Sequence, residues 1–185
     1  MPKLSVEQLW ELRNTLLENA KRLTDDAELL VANARWPAAF ESAYFAREET
    51  AKSMTMFAVA HAVAENPAQL NWPEFWSMWK DHRKKSATVV MTSRLYERLF
   101  ESTEAAASKE ADTDAEKREA SELMVEREAA LYVHWDRGIQ TPWGSIPEGR
   151  AREMVAEARK MVEAELASTD AHRALIDAAV RGDTT

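Results

Sequence analysis

Arg127 and His134 stand seven residues apart in EREAALYVHWD. On a helix that spacing separates them by only ~20° around the axis. Both would point the same way, two turns apart, on the face that also holds Leu123 and Leu131. An imidazole exchanges protons near neutral pH and can act as general acid or base. A guanidinium can clamp phosphoryl oxygens in a bidentate manner. A cation and an imidazole on an inward face are costly, and a phosphate-binding cleft would explain them. On spacing alone the structural alternative leads. There, Arg127 pairs with a core carboxylate such as Glu48 or Glu49, and His134 merely ends the helix.

A second group sits in FAREETAKSMTM, where Arg47, Glu48, Glu49 and Lys52 fall within two turns. Glu48 and Lys52 are four apart and Glu49 and Lys52 three apart, both spacings of helix neighbours. Phe45 and Met56 flank the same face, so these charges need partners if they are buried. Arg47 lies on the opposite, apolar stripe and needs its own acceptor. Spacing favours an ion pair that holds the fold over one that does chemistry. The third group is KDHRKK, the densest basic cluster in the chain. His82 shares a stripe with Phe75, Trp79 and Ser86, with Lys85 one turn on. It reads either as a satisfied core histidine beside a solvated basic face or as an imidazole at the mouth of a phosphate site.

Helices must position these groups. The chain has 185 residues, 4 Gly and 6 Pro, with long runs of good helix formers, which argues for an all-α bundle rather than a sheet. Ser5 and Gln8 form a capping box for a first helix. Pro37 interrupts at ANARWP, and a second helix runs from about Pro37 to Ala64. It is apolar on two sides, which suits a central position. Asn71 and Glu74 cap a third helix, with room to continue to Phe100. Residues 101–117 are small, polar and charged, either an exposed helical extension or a mobile connection. A fourth helix is expected from about Ala115 to Trp135, then a loop, DRGIQTPWGSIP. Ser145 and Glu148 read as a capping box for a fifth helix to about Leu166. A sixth covers Asp170 to Arg181 and is closed by Gly182. No strand is expected. The whole reads as one domain over residues 1–185, with five to six helices.

Several chemistries are excluded. With no cysteine there are no disulfides and no cysteine nucleophile, which fits a reducing cytoplasm. No E-x-x-H, H-E-x-x-H, G-x-x-x-x-G-K or G-x-S-x-G pattern occurs. No stretch approaches the ~18 consecutive apolar residues of a membrane span, and no secretory signal is visible. A net charge of -8 would repel nucleic acid globally, so any RNA contact must be local. Trp135 and Trp143 could stack on bases, but anchoring the loop to the core is the favoured reading.

The three groups, in this order, resemble the abortive-infection AbiV family of bacterial anti-phage proteins, placed among the all-helical HEPN domains. AAFESAYFAREETAK looks like the family's small-residue helix ending in E-E-x-x-K, matched by Glu48, Glu49 and Lys52. WPEFWSMWKDHRKK looks like its aromatic segment followed by H-x-x-K, matched by His82 and Lys85. EREAALYVHWDRGIQTP looks like its L-Y-V segment, matched by Leu131, Tyr132 and Val133. The likeness spans roughly residues 10–165. It implies a HEPN-like helical bundle and a homodimer whose two motifs share a cleft. Active HEPN ribonucleases carry R-x(4 to 6)-H, which Arg127 and His134 match. The implied activity is metal-independent RNA cleavage without a cofactor, on tRNA, mRNA or rRNA, or another block on translation. A phage protein is the implied activator. In that scheme Arg127, His134 and His82 are the catalytic candidates, while Glu48, Glu49, Lys52, Lys85 and Tyr132 line or brace the cleft. The rival implication is a noncatalytic module that dimerises and binds a phage or host protein.

Overall fold

A computed structural model describes residues 3–68, 70–80, 113–135 and 138–183. These form an all-α bundle of seven helices with one two-residue hairpin among the described residues. The helices are α1 (Val6–Ala32), α2 (Trp36–Glu65), α3 (Trp72–Lys80), α4 (Thr113–Leu131), α5 (Pro142–Ser145), α6 (Glu148–Ala167) and α7 (Thr169–Arg181). Between α4 and α5, β1 (His134–Trp135) pairs antiparallel with β2 (Ile139–Gln140).

Local chemistry accounts for most boundaries. The Ser5 hydroxyl accepts from Gln8 N at 3.2 Å and the Gln8 amide oxygen accepts from Ser5 N at 3.0 Å, the reciprocal cap expected there. The Asn71 side chain accepts from Glu74 N at 3.3 Å and opens α3. α1 stops at a turn in which Arg35 N donates to Leu30 O and Ala34 N to Val31 O. Ala34 takes the left-handed conformation there, φ 56°. Gly182, φ 76°, plays the same part after α7.

The apolar pattern then assembles the bundle around α2, which touches α1, α4, α5, α6 and α7, as its two-sided apolarity predicts. Ala27, Phe40, Ala43, Leu123, Met154 and Ala158 belong to one core cluster. Leu9, Met56, Ala60, Trp72, Phe75 and Ile176 belong to another. No helix of the described residues is long and apolar enough to cross a membrane.

Three expectations fail in the 131–148 segment. α4 ends at Leu131, not Trp135, because Tyr132, Val133 and Trp135 are aromatic or β-branched and favour extended backbone. The hairpin that follows contradicts the absence of strands. Ser145 does not cap α6: its hydroxyl donates to Thr141 O at 3.0 Å at the start of α5, and the N-cap of α6 is Pro147, which provides no side-chain cap. α5 is itself capped by Thr141, whose hydroxyl accepts from Gly144 N at 3.4 Å. Within the polar segment 101–117, α4 has begun by Thr113; residues 81–112, including the rest of that segment and the suggested continuation of α3 to Phe100, lie outside the described residues.

Candidate functional site

On α2, Glu41, Tyr44, Phe45 and Glu48 follow one another at helix-neighbour spacings and form a single stripe. α4 packs against α2, with the Tyr44 hydroxyl 3.5 Å from the Met124 sulfur. One turn further along α4, the Arg127 guanidinium lies over two rings, 5.6 Å from the Tyr44 centroid and 5.1 Å from that of Phe45. Arg127 makes no hydrogen bond or ion pair among the described residues, and its Nε is buried without a partner. The nearby Glu41 is felt through charge alone. Burial pushes the Glu41 carboxyl up, and the Arg127 charge partly offsets this. Glu48 is 6 % exposed and likewise makes no ion pair among the described residues. The expected pairing of Arg127 with Glu48 or Glu49 is therefore absent. Aromatic rings hold the guanidinium instead: Tyr44 and Phe45 meet edge to face at 77° and both lie within cation–π distance of it.

Arg47, Glu49 and Lys52 of FAREETAKSM each have an ion-pair partner. Arg47 finds its acceptor in Glu157 of α6 at 2.6 Å, with the Met154 sulfur 3.3 Å away. Lys52 pairs with Glu49, whose second oxygen accepts from Asn19 Nδ2 of α1 at 3.0 Å. Glu49 and Lys52 thus brace α2 against α1 and do not touch Arg127. The most deeply buried pair was not visible in the sequence. Arg13 and Glu165, both 0 % exposed, meet at 2.5 Å, and Arg13 also donates to Thr169 Oγ1 at 2.9 Å. Only its place in the α1 stripe beside Leu9 and Leu16 could have marked Arg13 as buried.

The AbiV model, a family of the HEPN grouping, matches residues 8–163, from the start of α1 to near the end of α6. The chain belongs to the AbiV family. That agrees with the likeness read over residues 10–165 and makes this a HEPN-type abortive-infection protein at the level of class. No curated protein and no solved structure matches the chain.

Among the candidate residues of an AbiV site, Arg127 stands on α4 facing α2, as described. His134 lies in β1, beyond the helix, so the one-face geometry expected for the pair does not hold. Its backbone pairs with Gln140, while its side chain lies outside the described residues. His82 and Lys85 also lie outside the described residues. Tyr132 is 59 % exposed just past the end of α4. Trp135 and Trp143 are 78 % and 56 % exposed, which overturns their reading as core anchors. The backbone leaves helical geometry at Tyr132, and Tyr132, Val133 and Trp135 are all exposed. Sequence reasoning missed Glu41 and the two rings under Arg127; the run of Tyr44 and Phe45 one turn after Glu41 was the available signal.

Two clefts lie elsewhere. One of about 530 Å³ is lined by Arg47, Leu123, Glu126, Arg150 and Glu157. Its cations are committed, since Arg150 pairs with Glu126 and Glu153 at 2.7 Å each and Arg47 with Glu157. The other, about 820 Å³ between α1 and α6, includes Glu28, Val31, Arg152 and Arg159. There Arg159 bridges Asp25 at 3.0 Å and Glu28 at 2.6 Å. Neither is lined by Arg127.

Proposed function

We propose that this AbiV-family chain acts in abortive infection by cleaving RNA, with Arg127 as the cation that binds the scissile phosphate. One observation carries the reading: a guanidinium held on two aromatic rings, with no carboxylate paired to it among the described residues, in a chain rich in carboxylates. Such a group keeps its donors available for an oxyanion. In the reaction the RNA 2′-hydroxyl attacks the adjacent phosphorus. The bond to the 5′ oxygen breaks, leaving a 2′,3′-cyclic phosphate and a 5′-hydroxyl. His134 would take the 2′ proton, and a second imidazole, from His82 or from His134 of a second copy, would protonate the leaving oxygen.

The test is cleavage of total RNA and tRNA in chelator by wild type, Arg127→Ala and His134→Ala. Cleavage by wild type alone, with both variants folded, supports the assignment. Equal cleavage by all three removes it. A second reading, a noncatalytic module that docks a phage or host protein, is favoured by the exposed apolar run of Tyr132, Val133, Trp135 and Ile139. It predicts no cleavage by any of the three proteins and loss of partner capture on substitution of Trp135.

A further inference from the structure

A second arginine in the described structure behaves like Arg127. Of the described arginines, Arg35, Arg118 and Arg127 form no ion pair, whereas Arg13, Arg22, Arg47, Arg150, Arg152, Arg159, Arg173 and Arg181 all do. Arg35 is exposed, and its guanidinium lies 5.7 Å from the centroid of the Trp143 ring. Trp143 is itself 56 % exposed. In a chain with 32 acidic and 24 basic residues, Arg35 still has no carboxylate partner among the described residues. An exposed indole beside it is unusual, since apolar surface gains by burial. The pair therefore offers both chemistries of one nucleotide: an indole face for a base and a guanidinium edge for a phosphate.

Its position fits. Trp143 lies on α5, which packs against α4 and α2, the two helices that provide Arg127 and the rings beneath it. The connection from α4 to α5 also carries Trp135, 78 % exposed. Two arginines without an ion pair among the described residues, Arg127 over two rings and Arg35 over one, thus stand at elements in mutual contact.

We infer that Arg35 and Trp143 form a nucleotide-binding subsite for single-stranded RNA, separate from Arg127, in which the indole stacks on a base and the guanidinium holds a neighbouring phosphate. This rests on the reading of the protein as one that acts on RNA.

The experiment measures binding of a labelled single-stranded RNA by anisotropy across a salt series, alongside cleavage of the same RNA. Proteins compared are wild type, Arg35→Ala, Trp143→Ala, Trp143→Phe and Arg127→Ala, each checked by thermal melt. Trp143→Ala is expected to weaken binding roughly 5- to 150-fold, the range for loss of one stacked base, while Trp143→Phe retains most of it. Arg35→Ala is expected to lower the slope of log affinity against log salt by about 0.7, one phosphate contact on a single strand. Unchanged binding and slope in Arg35→Ala and Trp143→Ala would overturn the subsite even if wild type cleaves RNA. Binding that depends on Arg35 and Trp143 without cleavage would support the subsite and remove the ribonuclease reading. Displacement by a free nucleoside monophosphate as effective as by RNA overturns the assignment to RNA, as does failure of wild type to bind RNA.

Discussion

The Arg127 guanidinium lies 5.1 Å over the ring of Phe45, and no carboxylate pairs with it among the described residues. An arginine held this way contributes little to folding. Partly exposed cation–π contacts are worth about 0.5–1 kcal/mol each. Two such contacts make about 1–2 kcal/mol, so Arg127→Ala should lower Tm by no more than about 8 °C in a chain of this size while abolishing RNA cleavage. A calorimetric melt beside the cleavage assay decides it, and a fall beyond roughly 10 °C would make Arg127 a structural residue.

The Arg13–Glu165 pair makes the opposite case. Both side chains are fully buried, so removing one partner strands a charge. Glu165→Ala should cost about 3–5 kcal/mol, a fall in Tm of roughly 6–20 °C. Urea denaturation gives the free energy directly, and a loss under ~1 kcal/mol would show that water reaches the site.

Glu41 adds a pH dependence with a definite sign. Burial raises its pKa above the ordinary value of 4.5 in the folded chain. The folded state then binds the proton more tightly than the unfolded one, so this group's contribution to stability falls as pH rises through that window. It stays reduced above the folded pKa. Glu41→Gln should therefore be more stable than wild type near neutral pH, with the gap closing below about pH 4. In an Arg127→Ala background the gap should widen, because the opposing charge is gone. Melts from acid to neutral pH would contradict this by giving parallel profiles.

Ala34 sits in left-handed backbone, φ 56°, where a side chain costs about 1–2 kcal/mol. The turn is otherwise complete, with Arg35 N to Leu30 O at 2.9 Å and Ala34 N to Val31 O at 3.0 Å. Ala34→Gly should stabilise the protein by up to about 1 kcal/mol, less the added freedom of the unfolded chain. A lowered urea midpoint would be the contrary result.

The helices were legible where spacing and caps act locally. The Ser5 box, the break at Pro37 and the two-sided face of α2 follow from neighbours within a turn or two. The end of α4 was not legible, because the 3.6-residue apolar rhythm runs on through LYVHW after the backbone has turned extended. That rhythm placed His134 beside Arg127 on paper. Partners across the bundle were hidden for a different reason. The need of Arg47 for an acceptor was legible, but nothing local names Glu157, 110 residues away. Arg127 was singled out by spacing, yet its bed of rings depends on how α4 meets α2, which no local pattern encodes.

The Arg13–Glu165 pair also sets an order of events. The two residues are 152 positions apart. At ~5–20 residues per second of synthesis, Arg13 leaves the ribosome roughly 8–30 s before its carboxylate exists. During that interval α1 carries a cation whose partners, Glu165 of α6 and Thr169 of α7, have not been made, and burial of that side of α1 is penalised. The last part of the bundle to be made is thus what lets the first part settle. A nascent chain halted before α6 should remain open to protease along α1, and one that has emerged past Glu165 should close.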